Sequence, residues 1–333
     1  MKKLMTILLC VLLSSFVFGD TIFFNDGTTR KNVVVTKETY DKVEYYFKDA
    51  GAGSKQQVGQ HRVKEVQRSE VPNDFQIAEG YFSQKAYEQA RRDYQRAMRS
   101  RDWTEQHCLF RIAESYRLEG KTRDAISAYK NVISKFPKGR YLPECYFYQG
   151  EAFFAAKDWR RAAGAYFKAA KFYSQIKKKD QAYDAKYKVA FCEEKRKAYG
   201  KAVQMYKSLI GGLEKDHKMY NKANVRIGLC LLGEKKYRDA KRHLLKIIND
   251  KNIKDPFVLS AAYVGMGDYY REGNAENDSK KSLLCYMRVI LMYSGTSDDM
   301  ARAYRGAAVC FKLMKNANKA RQMEQQAAKW ESS

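Results

Sequence analysis

Between residues 20 and about 70, apolar and polar positions alternate in short runs. Residues 21–24, 32–36 and 42–47 are rich in β-branched and aromatic residues, and 56–59 and 62–66 supply two more short candidates. Asn25-Asp26-Gly27 and Gly51-Ala52-Gly53-Ser54 punctuate them. Five short strands in so few residues predict a small meander or SH3-like barrel. From Pro72 onward the period becomes helical. Between His107 and Pro137, Leu109, Ile112, Ala113 and Tyr116 mark one amphipathic face, and Ala125 and Tyr129 mark a second beyond a break at Gly120. Helices of this length are marginal alone. The small residues allow two helices to approach and the aromatics fill the space between them, so the pair is built to stack on copies of itself.

Copies are present. Small-to-large steps occur at Ala90/Tyr94, Ala125/Tyr129, Ala162/Tyr166, Ala202/Tyr206, Ala240/Leu244 and Ser282/Tyr286, and Ala320 ends the series, at intervals of 35, 37, 40, 38, 42 and 38 residues. A first-helix signature precedes each: Ala78/Tyr81, Ala113/Tyr116, Gly150/Phe153, Ala190, Gly228/Leu231, Gly267/Tyr270 and Ala308/Phe311. In phase, these positions resemble the tetratricopeptide repeat, with its small and aromatic residues on two helices and a closing proline. The resemblance covers about 72–330 and implies a right-handed α-solenoid of about seven helix pairs, mainly α, behind the small SH3-like β domain. The expected organisation is a signal peptide over 1–19, the β domain over 20–70 and the solenoid over 71–331. Only Pro137 keeps the closing proline. Glu193 replaces the fourth first-helix aromatic and leaves room for a local shift or hinge. Glu324 replaces the last second-helix aromatic and suits a terminal helix whose outer face meets water. Extra residues near Asn274 to Asp278 lengthen the sixth turn.

The N-terminus has the form of a secretory signal: Lys2-Lys3, an apolar run from Leu4 to Phe18, and Val17-Phe18-Gly19 before Asp20. The run is short for a membrane span. The expectation is therefore an exported protein, periplasmic or in the cell envelope, cleaved before Asp20. A small β module ahead of helical repeats looks like the arrangement in some bacterial envelope proteins. Formal charge is +25, spread along the chain, which favours acidic partners such as anionic lipid or wall polymer. Export leaves little access to nucleic acid. Six cysteines fall beyond the signal at spacings without a CxxC pair. On the repeat frame only Cys285 and Cys310 come near enough to consider a disulfide, and buried thiols acting as small apolar groups are the expected role.

No converging acid, base and nucleophile emerge. His61, His107, His217 and His243 are scattered, and no HExxH, GxSxG or phosphate-binding glycine loop occurs. The expectation is a non-enzymatic protein with no catalytic residue, cofactor or metal. In tetratricopeptide arrays the first helices line a concave groove where partner segments bind. Counting from each signature, the groove positions of the first four repeats are Phe75, Glu79, Phe110, Glu114, Phe147, Glu151, Tyr187 and Phe191. A Phe ladder beside a Glu ladder suits a peptide with apolar anchors and Lys or Arg. Against that, the aromatics serve equally to pack on neighbouring helices or on the β module. The stripes continue through Val225, Leu229, Val264, Asp268, Arg305 and Val309. The resulting expectation is an interaction scaffold of the envelope, binding a protein or peptide in its groove. The alternative is a structural envelope component held by charge, through Lys177, Lys178, Lys179 and the basic second helices, to anionic lipid or wall polymer.

Overall fold

The computed structural model describes residues 19–272, 278–293 and 295–332. The expected signal segment and the extra residues of the sixth turn lie almost entirely outside them. Five strands open the described chain: β1 Asp20–Phe24, β2 Thr29–Glu38, β3 Lys42–Phe47, β4 Gln56–Gly59 and β5 Val63–Gln67. They form one antiparallel sheet in the order β4-β3-β2-β1-β5, with a 3-10 turn over Gln60–Arg62 before the last strand. This is the strand order of an SH3-like module. Every second residue points inward, so Ile22, Phe24, Val33, Val35, Val43, Tyr45, Val58 and Val63 form its core. β2 is longer than its apolar run because Thr29 and Arg30 still pair across to Phe23 and Ile22. Backbone pairing extends a strand through positions whose side chains give no apolar signal.

Fourteen helices follow among the described residues. They are α1 Asn73–Ser83, α2 Tyr87–Ala97, α3 Thr104–Leu118, α4 Thr122–Lys135, α5 Leu142–Ala155, α6 Trp159–Gln175 and α7 Lys179–Lys195. The second half holds α8 Tyr199–Gly211, α9 Lys218–Gly233, α10 Tyr237–Asn249, α11 Pro256–Glu272, α12 Ser279–Met292, α13 Ser297–Leu313 and α14 Ala317–Ser332. Odd-numbered helices open the seven pairs. The stacking residues read from the sequence are all inside: Ala90, Tyr94, Ala125, Tyr129, Ala162, Tyr166, Ala202, Tyr206, Ala240, Leu244, Ser282 and Tyr286 are each 0% exposed. The glycines of the first helices make room for them. A Cβ at Gly150 would sit 2.8 Å from the Tyr166 ring, and one at Gly267 would sit 2.5 Å from that of Tyr286.

The turns inside the pairs share one device. Lys85, Gly120, Lys157, Lys197, Lys235 and Lys315 are left-handed, with φ between 58° and 77°. Around each, the next amide donates five residues back and the left-handed residue's own amide donates to the third residue before it, as in Ala86 N to Tyr81 O and Lys85 N to Phe82 O. This is the Schellman termination, which satisfies carbonyls that the helix end leaves open. Glycine is the residue it favours, yet lysine occupies five of these six turns. The turn from α6 into α7 ends the same way at Lys177, φ 59°.

The chain divides into two compact units, one through Ala185 and the other Lys186–Ser333. In the first, the β2–β3 tip docks on the helices. The Tyr40 ring meets Phe172 edge-on at 5.0 Å and joins the cluster of Ala169, Ala170 and Tyr173. Thr39 bridges Gly139, and the Tyr40 amide donates to the Lys138 carbonyl at 3.2 Å. In the second, cores form around Leu244, Ala262 and Met266 and around Val264, Tyr286 and Ala307. Glu193, the departure noted in the fourth repeat, is buried and ion-paired to Arg196 at 2.8 Å and Lys201 at 3.0 Å, while the α7 and α8 helices both form. Glu324 is exposed and pairs with Lys312 on the preceding helix, as a terminal outer face allows.

Candidate partner-binding surfaces

The carboxylates of the first-helix face are already engaged. Glu79 accepts the Tyr94 hydroxyl at 2.7 Å and both arms of the Arg111 guanidinium, at 2.9 and 2.8 Å. Arg111 also donates to Glu114 at 2.9 Å. Glu151 accepts the Tyr166 hydroxyl at 2.7 Å. The second unit repeats the arrangement: Glu194 takes the Tyr206 hydroxyl at 3.2 Å and Arg226 at 2.9 Å, and Asp268 takes Tyr286 at 2.6 Å and Arg302 at 2.5 Å. Around Glu79, Glu194 and Asp268 the motif joins a second-helix tyrosine, a first-helix carboxylate and an arginine from the next first helix. A bidentate guanidinium–carboxylate pair is among the stronger polar contacts. Burial alone would lower the Arg111 pKa, and Glu79 and Glu114 overcome it and raise it. Burial raises the Tyr94 hydroxyl, and its bond to Glu79 adds to that.

The aromatic ladder is spent on packing to different degrees. Phe110 is 7% exposed and stacks on Tyr141 with ring centroids 4.1 Å apart. Phe75 is half-buried against Tyr94, Trp103 and His107. Phe147 is half-buried and meets Tyr166 at 5.4 Å. Tyr187 and Phe191 stack at 6.2 Å, and Arg226 lies over the Phe191 ring at 4.6 Å.

In the first unit this face is covered by the β module. A cleft of about 610 Å³ has Phe75, Glu79, Phe110 and Glu114 on one wall and Tyr40, Gln60 and residues 63–66 on the other. Beside it Glu38, its side chain 3% exposed, is held by Arg68 at 2.5 Å and by Arg140. His107 Nε2 stands 3.7 Å from the same carboxylate, and its Nδ1 shares a 2.8 Å hydrogen bond with the Tyr141 hydroxyl. Burial would raise the Glu38 pKa, but the His107 ring and the guanidiniums of Arg140 and Arg68 prevail and hold it far below the ordinary carboxylate range. Burial depresses the His107 pKa despite the attraction of Glu38. Arg68 also donates to the Val35 carbonyl at 2.8 Å, so one guanidinium ties β2 to the junction.

In the second unit the corresponding face forms a trough of about 610 Å³. Its lining carries the cations Lys195, Lys197, Arg226, Arg271, Arg302 and Arg305 against the anions Glu194, Asp268, Glu272 and Asp298. Leu229, Leu232 and Val309 supply apolar surface. Leu229, Asp268, Arg305 and Val309 are the continuation of the stripes read from the sequence. The arginines that neutralise the carboxylates were missed there. Their signal is positional: Arg111 follows Phe110 and Arg226 follows Val225, the same place in two repeats, and each lies 32 residues beyond its carboxylate.

Five cysteines, Cys108, Cys145, Cys192, Cys230 and Cys310, are buried, and Cys285 is partly so. Burial pushes the Cys108 thiol up to about 12 and that of Cys285 to about 11, so both are protonated at neutral pH. Among the described residues no cluster of His, Cys, Asp or Glu is placed to hold a metal, and no helix is long and apolar enough to cross a membrane.

Residues 107–139 match the family model of the tetratricopeptide repeat. No curated protein matches the chain in sequence. Among solved structures, a tetratricopeptide repeat protein from Parabacteroides merdae aligns with a TM-score of 0.61 at 14% identity, covering 77% of this chain and 91% of that one. The apo form of RapI aligns at 0.56 and 15% identity, covering 78% and 96%. NprR in complex with its cognate peptide NprX aligns at 0.54 and 11%, covering 78% of each. At such identities the likeness is one of fold. With the matched repeat at 107–139 and a buried small-to-large step in six of the seven helix pairs, the described helices have the tetratricopeptide-repeat fold.

Proposed function

We propose that this protein is a non-enzymatic interaction scaffold, exported to the bacterial envelope, that binds a segment of a partner protein in the trough of its second unit. The observation that carries the reading is that trough. It draws side chains from the first helices α9, α11 and α13 and combines apolar patches with six cations against four anions. The first unit's equivalent face is occupied by its own β module, and its glutamates are paired. The ligand favoured is therefore a segment with acidic residues around an apolar anchor, not the basic one that the glutamate ladder suggests by itself. A fold neighbour solved with a peptide, NprR with NprX, supports a peptide as the occupant. Export rests on the residues before Asp20.

A photo-crosslinking residue at Val309, 39% exposed, tests the trough in the native cell against one at Leu284, 65% exposed on α12. The expected outcome is a discrete adduct from position 309 only, lost on Arg305→Glu. Equal labelling at both positions refutes the trough. N-terminal sequencing of the mature protein should start at Asp20, and recovery from the cytosol with Met1 intact would refute export. One observation favours the second reading, retention by charge on anionic lipid or wall polymer: lysines crowd the turns, with Lys177, Lys178 and Lys179 consecutive and Lys177 left-handed. Charge reversal at these three should then release the protein from the envelope at moderate salt.

A further inference from the structure

The cleft between the β module and the first repeats has hydrogen-bonding capacity that the chain does not use. Two side-chain atoms of its lining residues are buried and unpartnered, Gln60 Oε1 and Glu144 Oε2. Gln60 is 5% exposed and lines the cleft from the side of the β module. Leaving a buried polar atom unmet costs free energy, most of all for a charged group. Donors nearby are spent. Arg111 serves Glu79 and Glu114, Arg140 serves Glu38, and the Lys178 ammonium reaches only the other Glu144 oxygen, at 3.4 Å. His107 is engaged on both sides, Nδ1 with the Tyr141 hydroxyl and Nε2 against Glu38 at 3.7 Å.

The unmet groups therefore include one carboxylate oxygen and one amide oxygen, and of the lining cations only Lys64, exposed on β5, has no carboxylate partner. An anion entering here would face Glu65, Glu79, Glu114 and Glu144. The walls include Phe75, Phe110 and Tyr148, whose rings limit water. Tyr148 already carries one guanidinium, that of Arg117, 4.4 Å from its ring centroid. We propose that this cleft binds an organic cation rich in N–H donors, a guanidinium or primary ammonium, with Glu144 and Gln60 as its acceptors. A guanidinium offers five donors in a plane and is less strongly hydrated than an ammonium. The site is separate from the trough of the second unit and does not depend on it.

Isothermal titration of the full mature protein tests the assignment with two probes, agmatine as a free cation and a blocked Gly-Arg-Gly peptide as a side-chain source. Binding of agmatine alone indicates a small-molecule site, and binding of both indicates a site open to a partner's arginine. Glu144→Gln, which keeps the shape, should weaken either probe about tenfold. Lys178→Met removes the competing ammonium and should tighten binding, with thermal melts confirming that both variants fold. No heat from either probe up to about 10 mM identifies a water-filled cleft and overturns the proposal. So does binding indifferent to Glu144→Gln, or tighter binding of glutamate than of agmatine.

Discussion

Replacing the left-handed lysines with glycine should stabilise the array. At Lys85, Lys157, Lys197, Lys235 and Lys315, φ is 62°, 59°, 63°, 60° and 58°. A residue with a Cβ held in that region is strained by about 1–2 kcal/mol. Glycine removes the strain, but its freer unfolded chain returns about 0.5–1 kcal/mol. A lysine at a helix C-terminus also gains about 0.3 kcal/mol or more from the helix dipole at low ionic strength, which salt screens. The balance is roughly 0.5 kcal/mol per site at high salt, or about 2–3 kcal/mol for all five if the distant turns are additive. In a chain of this size that is a rise in melting temperature of roughly 3–5 °C. The assay is calorimetry of the single and fivefold variants in about 0.5 M salt, where the dipole term is small. Gly120→Lys supplies the converse, since Gly120 has φ 77° and nothing lies within 4 Å of an added Cβ. Any loss there comes from backbone strain and not from a clash, and should be about 1 kcal/mol. If the fivefold variant melts lower than the parent, or Gly120→Lys melts higher, the strain argument is refuted.

The remaining predictions concern the packed junctions. Tyr166→Phe should cost about 1.5–3 kcal/mol in urea unfolding, because the Glu151 carboxylate loses its 2.7 Å donor; a cost near zero would mean water replaces it freely. Gly150→Ala should lower stability by roughly 1–2 kcal/mol, as overpacking against the Tyr166 ring exceeds the helix propensity gained. Glu38→Gln leaves the buried Arg140 without its carboxylate and Arg68 with Asp20 alone, and should cost about 3 kcal/mol, with limited proteolysis cutting first between β5 and α1. Acid should act on the same junction. The folded His107 titrates below its ordinary 6.5, so its stabilisation is full above that value and falls away as the pH drops below it. Glu38 is also depressed from its ordinary 4.5, so its contribution holds above 4.5 and is lost on further acidification. Stability measured from pH 8 to 4 should decline through both windows, and the first decline should shrink in His107→Gln, the remainder coming from His243, which burial depresses likewise.

The repeats were legible because their packing is local and periodic. A residue one turn before an aromatic on a short helix has one place to go, and from Ala90 to Ala320 each such residue is within 1% of complete burial. The strands were legible for the same reason, since an inward face of Val33, Val35, Val43 and Tyr45 needs only alternation. What lies opposite a residue was not legible. Phe110 sits on the first-helix face as its phase requires, but Tyr141, from the turn before the next first helix, stacks on it and removes it from solvent. Periodicity assigns a face; it does not say whether a neighbour covers that face.

The charges make the same point more sharply. A ladder of Glu79, Glu114 and Glu151 reads as an acidic stripe on any helical wheel, because a wheel contains one helix. The guanidinium that neutralises Glu79 is 32 residues away on the next first helix, and the pair behind Glu38 reaches 30 residues to Arg68 and 102 to Arg140. Electrostatic character on a repeat array is thus a property of adjacent repeats taken together. Where the next repeat supplies arginine, the carboxylate becomes part of the scaffold, fixing a tyrosine and tying two repeats. Where cations exceed that need, as Lys197 does beside the Arg226–Glu194 and Arg302–Asp268 pairs, the surplus remains to attract a partner. That surplus lies in the second unit, which is why the partner surface is placed there and not on the ladder.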